Sequence, residues 1–414
     1  MANEFNIDRN RLIETVKEQA AIGGTDGGGL HRLALSDEDK QVRDWFHEQM
    51  EAADLDVRID EMGNMFGRRP GTDSDAAPVL LGSHLDSQPN GGIYDGALGV
   101  VGALEFVRTL DDQGIETKHP IEIVNWTNEE GSRFQPAMMA SGVWAGVHDR
   151  DAMYAETDAE GNTLRAELER IGYRGSAPVG PQEEYEAYLE LHVEQGPYLE
   201  EWGQSVGIVT DIVGFTWGEL TFRGEPDHTG ATPMHHRSDA LVAAADVIVR
   251  LRRLAEDLGE RTVATTGVVD ATPNSINVIP GEVTFTWDAR DPDDAVVEAA
   301  FQRVLAEAER AAEREGVDWE WEERMRAPSV KFADRCTETM ADAAASLDYD
   351  YTDIVAGAGH DATHLAEVCD TGMVFAVSEG GKSHSEAEYT NWDDCYRAAN
   401  VLANAALRVA TGAA

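Results

Sequence analysis

The chain has 414 residues and a formal net charge of −45 at pH 7, from 78 Asp and Glu residues against 33 Lys and Arg residues. This length exceeds the roughly 100–200 residues of a typical domain, so we expect two domains. The strong negative charge disfavours binding to nucleic acid and to anionic membrane surfaces, because both repel it.

The acidic residues are spread along the whole chain, and lysine occurs at only five positions. Salt screens the self-repulsion of such a surface. The composition therefore predicts a protein of a halophilic cytoplasm, with an unusually acidic mesophilic enzyme as the alternative. The sequence shows neither an apolar run of about 18 residues nor a charged and then apolar leader, so we expect neither a membrane span nor a secretory signal.

Cysteine is too sparse to shape the fold or to bind metal. Cys336, Cys369 and Cys395 are odd in number and far apart, which predicts neither a disulfide framework nor paired thiolate ligands. Any metal site must therefore consist of nitrogen and oxygen ligands.

Helical and strand patterns alternate in the first part of the chain. Residues 6–22 have helical periodicity, residues 23–36 (GGTDGGGLHRLALS) form a glycine-rich loop, and Ser36 is the expected N-cap of a helix over 37–53. A longer helix is expected over 96–114. Short apolar runs predict strands at 79–83, 121–126, 188–193 and 373–378. This alternation predicts an α/β domain with a mostly parallel sheet.

The pattern changes between about residues 212 and 328. Strands are expected at 215–225, 262–273 and 282–291, and amphipathic helices at 237–259 and 293–316. Two helices on a small antiparallel sheet form an α+β module. We therefore predict a catalytic domain in two parts, 1–211 and 329–414, with an inserted domain at 212–328.

Potential metal ligands follow the predicted strands of the larger domain. They are His84, Glu129 with Glu130, His192 and His384, each near the end of a different strand. The carboxyl ends of parallel strands meet at one edge of a sheet, where open α/β sheets bind ligands. One histidine after a strand commonly has a structural role. Potential ligands at the ends of four different strands, however, predict that these residues form a single site.

The stretch LGSHLDSQPNGGIYDGALGV (81–100) adds Asp95 to this set. The five groups are then three imidazoles and two carboxylates, which exceeds the three protein ligands typical of one catalytic zinc. If Asp95 bridges, the five form two sites of three ligands each. Two such ions, about 3.5–4 Å apart, can share an activated water.

Two further carboxylates have predicted roles beside the metals. Asp86 lies on the same side of its strand as His84 and is expected to fix the His84 imidazole. Glu129 and Glu130 are neighbours that cannot easily point the same way. One is therefore expected to bind metal and the other to act as a general base. A solvated turn is the alternative for this acidic pair.

Five segments together resemble the N-carbamoyl-L-amino-acid hydrolase and β-ureidopropionase group. They are GSHLDSQPNGGIYDGALGV, NWTNEEGSRFQPAMMASGVWAG, LHVEQGPYLE, DHTGATPMHHRSDA and GAGHDATHL, and the match as a whole runs in order from about residue 20 to 400. The group is part of a superfamily of two-metal amidohydrolases that also contains aminoacylases, allantoate amidohydrolases and dizinc carboxypeptidases.

The resemblance implies a role for each site residue. The implied metal ligands are His84, Asp95, Glu130, His192 and His384, which bind two divalent ions, zinc or alternatively manganese or cobalt. Glu129 is implied as the base. The implied substrate contacts are Gln195, Asn277, Arg290 and His360, with Asn277 and Arg290 as the clamp for a carboxylate. The resemblance also implies a cis peptide bond between Asp95 and Gly96.

His228 carries a further implication, because it lies in the inserted domain. In the group, the matching histidine reaches the active site of the partner subunit and steadies the oxyanion of the tetrahedral intermediate. The resemblance therefore implies a homodimer, with the segment 212–328 as a lid and dimerisation domain.

The implied reaction is hydrolysis of the carbamoyl C–N bond of an anionic N-carbamoyl amino acid to the amino acid, ammonia and carbon dioxide. An allantoate amidohydrolase shares nearly every motif, and NWTNEEGSRF followed by PAMMASGV favours the carbamoyl amino acid. A dizinc aminoacylase or peptidase is disfavoured by the segment GGTDGGGLHRLALSDEDK. A non-enzymatic binding protein of the same fold is disfavoured because all five ligand positions and the base are filled.

Overall fold

The computed structural model describes residues 5–413 of the chain. The chain up to Thr210, together with the chain from Phe332 onwards, forms a larger unit, and Asp211–Lys331 form a smaller one. Within the described part of the chain, no helix is both long and apolar enough to span a membrane.

The first part of the larger unit alternates helices and strands, as the sequence pattern predicts. Ser36 is the N-cap of the second helix, and its side chain accepts a hydrogen bond from the backbone N–H of Asp39. In chain order the elements are α1 (Arg9–Ala20), α2 (Asp37–Ala52), β1 (Asp56–Ile59), β2 (Met65–Arg69), β3 (Val79–His84), α3 (Ala97–Gln113), β4 (Ile121–Trp126), α4 (Met139–Trp144), α5 (Arg150–Ala155), α6 (Leu164–Ile171), β5 (Ala187–Val193), α7 (Tyr198–Trp202) and β6 (Val206–Ile212).

The remaining elements are those of the smaller unit and of the C-terminal part of the larger unit. The first set is β7 (Gly214–Arg223), α8 (Ala240–Leu258), β8 (Val263–Thr265), β9 (Val269–Thr272), β10 (Glu282–Asp291), α9 (Asp294–Glu315), β11 (Asp318–Ala327) and β12 (Val330–Lys331). The second set is α10 (Asp334–Ser346), β13 (Tyr351–Ala356), α11 (Ala362–Leu365), β14 (Thr371–Ala376) and α12 (Trp392–Thr411).

A nine-stranded sheet forms the core of the larger unit. Its order is β1-β2-β4-β3-β5-β14-β6-β12, and β13 also pairs with β6. The central strands β4, β3, β5 and β14 run parallel, while the flanking strands are antiparallel. Every residue of these four strands is buried, as expected for parallel strands covered on both faces. Their carboxyl ends meet at one edge, as predicted.

The smaller unit is an antiparallel sheet with two helices, as predicted. The strand order is β11-β7-β10-β8, and β9 also pairs with β10. Alternate side chains of β10, such as Phe285 and Trp287, are buried in one hydrophobic cluster with Val247 of α8 and Val304 of α9. This alternation is the period-two pattern of a strand with one buried face.

Candidate metal centre and active site

Three buried side chains form the first candidate metal group. The carboxylate oxygen Oδ1 of Asp95 lies 3.6 Å from Nε2 of His84 and 3.1 Å from Nε2 of His192. All three potential ligand atoms lie within 4.8 Å of one another. His84 ends β3 and His192 lies near the end of the neighbouring strand β5, so the paired strands bring the two imidazoles together.

The hydrogen bonds of both imidazoles direct Nε2 towards the site. Nδ1 of His84 lies 2.9 Å from the backbone oxygen of Asp86, and Nδ1 of His192 lies 3.0 Å from the backbone oxygen of Val193. A carbonyl oxygen only accepts, so Nδ1 is the donor in each ring. Nε2 of each ring therefore faces the site: Nε2 of His84 is buried without a hydrogen-bond partner, and Nε2 of His192 accepts the backbone N–H of Gly96 at 3.2 Å.

The second candidate metal group shares Asp95 with the first. Nε2 of His384 lies 3.4 Å from Oδ2 of Asp95 and 3.6 Å from Oε2 of Glu130. These three ligand atoms also lie within 4.8 Å of one another. His384 is the exposed member, since 49% of its side chain is accessible to solvent. Nε2 of Gln195 donates to Oδ2 of Asp95 at 2.9 Å, which places Gln195 beside this group.

Glu129 lies beside the first group, and Asp86 supports both glutamates. Oε2 of Glu129 lies 3.5 Å from Nε2 of His84. The Asp86 carboxylate accepts the backbone N–H groups of Glu129 and Glu130, each at 3.3 Å. The sequence predicts that this carboxylate fixes the His84 imidazole. The structure instead gives that contact to the backbone oxygen of Asp86, because the carboxylate is directed at the loop after β4.

The electrostatics of the site favour a bound cation. Burial, together with the negative charge of Asp95, raises the pKa of Glu130 well above its usual value. Burial disfavours the charged form of His84, but the neighbouring carboxylates, with the charge of Glu129 foremost, outweigh it and raise the pKa of His84 well above its usual value. Neighbouring carboxylates thus draw positive charge to the space between them.

The donor set fits divalent metal ions. Two imidazole nitrogens and one carboxylate oxygen form the first group, and one imidazole and two carboxylates form the second. Nitrogen and oxygen ligands of this kind suit zinc, manganese or cobalt. The cysteines do not contribute, since Cys336, Cys369 and Cys395 are free thiols outside both groups.

Two supporting residues were not singled out from the sequence. Gln88 holds the Glu130 carboxylate through its backbone N–H at 3.0 Å and its side-chain Nε2 at 2.8 Å. The fully buried Arg32, in the glycine-rich loop, donates to the backbone oxygen of Leu85 at 2.7 Å and so fixes the chain between His84 and Asp86. Gln88 lies only four residues after His84, within the motif quoted above, so its spacing was a usable signal.

His360 lies against the first group. Its ring centroid is 4.3 Å from that of His192, and its Nε2 is buried without a hydrogen-bond partner. Burial, with a smaller effect of the charge on His192, lowers the pKa of His360 well below its usual value. A neutral imidazole with one unpaired nitrogen is available to hydrogen-bond a substrate. Glu190, His192 and His360 also form a third group of potential ligands, which shares His192 with the first.

Two of the predicted residues of the smaller unit lie together. His228 pairs with Val278 in an isolated β-bridge, and the backbone oxygen of Asn277 accepts the N–H of Thr229 at 3.2 Å. Nδ1 of His228 accepts the backbone N–H groups of Gly230 and Ala231 at 3.0 and 3.1 Å. Because Nδ1 is the acceptor, Nε2 carries the proton in the neutral ring and is a hydrogen-bond donor on an exposed side chain.

Arg290, the third predicted residue of the smaller unit, binds a carboxylate of its own chain. Its Nη2 and Nε lie 2.9 and 3.0 Å from Oδ2 of Asp288 on the same strand. The guanidinium carbon lies 5.7 Å from the centre of the Phe215 ring. Any carboxylate that binds Arg290 from outside the chain must therefore share the guanidinium with Asp288 or displace it.

The expected cis bond between Asp95 and Gly96 is wrong. Among the described residues, the cis peptide bonds are Gln135–Pro136 and Thr272–Pro273. The turn into α3 is made instead by Gly96, which has a left-handed φ of 63°. A Cβ atom at Gly96 would lie 2.4 Å from the His84 ring, so the site also requires glycine there for space.

Sequence comparisons identify relatives that match this chain over nearly its whole length. Residues 80–408 match the model of peptidase family M20/M25/M40. An N-carbamoyl-L-amino-acid amidohydrolase of Rhizobium meliloti is 44% identical over 404 residues, covering 98% of this chain and 97% of that protein. An allantoate amidohydrolase of Escherichia coli K12 is 33% identical over 396 residues, covering 95% of this chain and 96% of that protein.

Comparison with solved structures gives a similar result. An amidase of the hydantoinase/carbamoylase family from Burkholderia multivorans is similar to this structure with a TM-score of 0.93 and 45% sequence identity. The similarity covers 98% of this chain and 99% of that one. It therefore includes the inserted unit as well as the larger unit.

Proposed function

The chain belongs to peptidase family M20/M25/M40, and on that premise we propose that it is a metal-dependent amidohydrolase. It cleaves the carbamoyl C–N bond of N-carbamoyl amino acids and releases the amino acid, ammonia and carbon dioxide. Curated relatives of 44% and 37% identity, which match nearly their full length, are named for this activity.

The position of Asp95 is the observation that carries the proposal. One of its carboxylate oxygens faces His84 and His192, and the other faces His384. A single carboxylate thus serves two groups of three ligands, which is the arrangement that two neighbouring divalent ions need. We therefore propose two ions, with zinc as the first candidate and manganese or cobalt as alternatives.

The chain's own residues supply the acid–base chemistry. Two divalent ions, when bound, supply Lewis-acid polarisation of the carbamoyl carbonyl and increase the acidity of water. Glu129 lies 3.5 Å from His84 at the edge of the first group, where its carboxylate takes the proton from the attacking water. Burial, helped by neighbouring negative charges, raises the pKa of Glu129 well above its usual value. Glu129 then returns the proton to the leaving nitrogen, and ammonia departs.

Substrate contacts follow from the hydrogen-bonding capacity of four residues. His360 offers an unpaired buried nitrogen beside the first group, and Gln195 lies beside the second. Arg290 presents a planar guanidinium that already accommodates a carboxylate, and Asn277 lies beside His228. We assign the carboxylate of the N-carbamoyl amino acid to Arg290 and Asn277.

A homodimer completes the proposed mechanism. His228 has an exposed Nε2–H donor but lies in the smaller unit, and we assign its contact with the oxyanion to the partner subunit. Exposed apolar side chains of the smaller unit support this proposal. Leu241, Val242 and Val249 are exposed along α8, and Val263 is exposed on the edge strand β8. We propose that two copies pair through this surface.

A halophilic, cytoplasmic setting is the remaining part of the proposal. The excess of 45 negative charges is compatible with a surface that requires salt for stability. The three free cysteines are compatible with a reducing cytoplasm. Thermal unfolding in 0.1 M and in molar KCl tests the first point, and full stability at low salt would contradict it.

One substrate panel tests the central activity. Enzyme loaded with Zn²⁺, Mn²⁺ or Co²⁺ is assayed for ammonium release from N-carbamoyl-L-amino acids, their D-enantiomers, β-ureidopropionate and allantoate. We expect the highest kcat/KM with N-carbamoyl-L-amino acids. A clear preference for allantoate would instead assign the chain to the activity of its Escherichia coli relative. An N-acetyl amino acid in the panel detects an aminoacylase.

A further inference from the structure

A buried carboxylate outside both metal groups connects the two loops that supply their ligands. Glu388 is four residues after His384, and only 6% of it is exposed. Its Oε1 accepts the backbone N–H groups of Asp95 at 3.2 Å and of Tyr94 at 3.3 Å. Its Oε2 accepts the hydroxyl of Ser383 at 2.7 Å. One side chain thus holds the backbone of the shared ligand and the residue immediately before His384.

The chain around Glu388 is shaped to admit this side chain. A Cβ atom at Gly92 would lie 1.9 Å from Oε1 of Glu388, so the carboxylate fits only against a glycine. Gly92 is buried and is not among the residues with positive φ. Glycine is therefore required here because a larger side chain would not fit, and not because of the backbone conformation. The contact is therefore a specific packing arrangement between the two loops.

His384 depends on such support more than the other ligands do. His84 and His192 belong to the buried strands β3 and β5, whereas His384 lies in a loop and has a left-handed φ of 53°. A non-glycine residue keeps that conformation only when its surroundings fix it. Glu388 holds this loop next to Asp95 through Ser383.

Glu388 also controls which group receives the Ser383 proton. The Ser383 hydroxyl lies 2.7 Å from Oε2 of Glu388 and 3.2 Å from Oδ2 of Asp95. A hydroxyl has one proton to donate, and the shorter contact gives it to Glu388. Oδ2 of Asp95, which already accepts a hydrogen bond from Nε2 of Gln195 at 2.9 Å, is thereby spared a second donor and keeps a lone pair for metal. Without Glu388, the hydroxyl would turn to Asp95 and compete with the ion.

We propose that Glu388 is a positioning residue that sets the affinity of the metal group formed by Asp95, Glu130 and His384. The inference rests on the proposed two-metal function. Carboxylates that orient metal ligands typically change affinity by about 10–100-fold when they are removed. The group formed by His84, Asp95 and His192 depends less on Glu388, because its two histidines lie on the buried sheet.

Metal counting on purified protein tests the proposal. The full chain, as wild type and as Glu388→Ala, is loaded with Zn²⁺, passed over a chelating resin and analysed by mass spectrometry for zinc per chain. Competition with a chromophoric chelator gives the two stepwise dissociation constants. We expect two ions in the wild type, and a second constant weakened by about 10–100-fold in Glu388→Ala with a smaller change in the first. Both constants unchanged in a folded Glu388→Ala protein would overturn the proposal.

Further variants separate positioning from a general loss of structure. Glu379→Gln, an exposed glutamate on the preceding turn, is the matched control and should bind both ions normally. Gly92→Ala displaces Glu388 without changing its chemistry, so it should weaken the second ion in the same way. Glu388→Gln keeps an acceptor for the backbone N–H groups and should lie between wild type and Glu388→Ala.

The remaining readouts exclude a purely structural role. Removing the hydroxyl in Glu388→Ala/Ser383→Ala should restore part of the lost affinity, and saturating Zn²⁺ should restore kcat. A lowered Tm with both zinc constants intact in Gly92→Ala and Glu388→Gln would refute the assignment even if Glu388→Ala fails to fold. If the wild type itself binds fewer than two ions, the two-metal function fails, which is a different outcome from unchanged constants in the variants.

Discussion

Replacing Glu129 by glutamine distinguishes the role of this residue as the base from the role of its neighbour Glu130 as a metal ligand. The Glu129→Gln substitution keeps the size of the side chain and removes the proton acceptor. General base catalysis typically contributes a factor of about 10²–10⁴, so kcat should fall by that amount, or about 2.7–5.4 kcal/mol in activation free energy. The carboxylates of Asp86 and Glu130 are engaged elsewhere, because Asp86 accepts two backbone N–H groups and Glu130 is held by Gln88.

Glu130→Gln is the matched control, because the two residues are adjacent and the substitutions are chemically identical. Glu129 is in neither metal group, so zinc per chain should not change in Glu129→Gln. Glu130 is a member of the second group, so Glu130→Gln should lose zinc from it. Initial rates of ammonium release, with zinc counted on the same samples, distinguish the two. Turnover within a few fold of wild type in Glu129→Gln would refute the assignment of the base.

Three further predictions concern the shared ligand, the carboxylate clamp and the dimer. Asp95→Asn removes charge from both groups, so metal content should fall below that of either single-group variant; retention of both ions would contradict the bridging role. Arg290→Lys keeps the charge but loses the planar pair of donors, so KM should rise by about tenfold or more while kcat changes little, measured by steady-state kinetics; an unchanged KM would contradict the clamp. Inactive His228→Ala and Glu129→Gln chains, mixed and equilibrated, should regain activity because half of each mixed dimer's sites carry neither defect; an equilibrated mixture as inactive as its parents would show that each chain uses its own His228.

The parallel core, and the proximity of the candidate ligands at one edge of it, could be predicted because both follow from local features of the sequence. Short, mostly apolar runs at β3, β4 and β5 predict strands buried on both faces, and His84 and His192 lie at the ends of such runs. The carboxyl ends of parallel strands lie at the same edge of a sheet, independently of the conformation of the loops that follow them. The structure accordingly brings both imidazoles to one carboxylate.

Elements without a buried face escaped prediction. Strand β11 has the sequence DWEWEERMRA, in which the alternation ends after five residues and most side chains are exposed, so no buried face identifies it as a strand. Its pairing with β7 fixes it instead. The segment 262–273 was expected as one strand, but it forms the two short strands β8 and β9, which pair with different parts of β10.

Contacts made by backbone atoms also escaped prediction. The role of Asp86 depends on which of its oxygens meets His84, and side-chain spacing does not determine that. Glu388 acts on the backbone of Asp95 across almost three hundred residues of sequence, and its identity as a glutamate in an acidic chain carries no signal of its own. Such contacts can be recognised only when the conformation of the loops is known.

Titration of the metal-free enzyme with zinc while ammonium release is measured tests the account most directly. Apoenzyme prepared with a chelator is mixed with increasing equivalents of Zn²⁺, and the rate with an N-carbamoyl-L-amino acid is followed at each point. The account predicts negligible activity without metal and a rise that is complete at two equivalents per chain, because both groups around Asp95 must be filled. Full activity without metal, or no ammonium release at any zinc concentration, would contradict it.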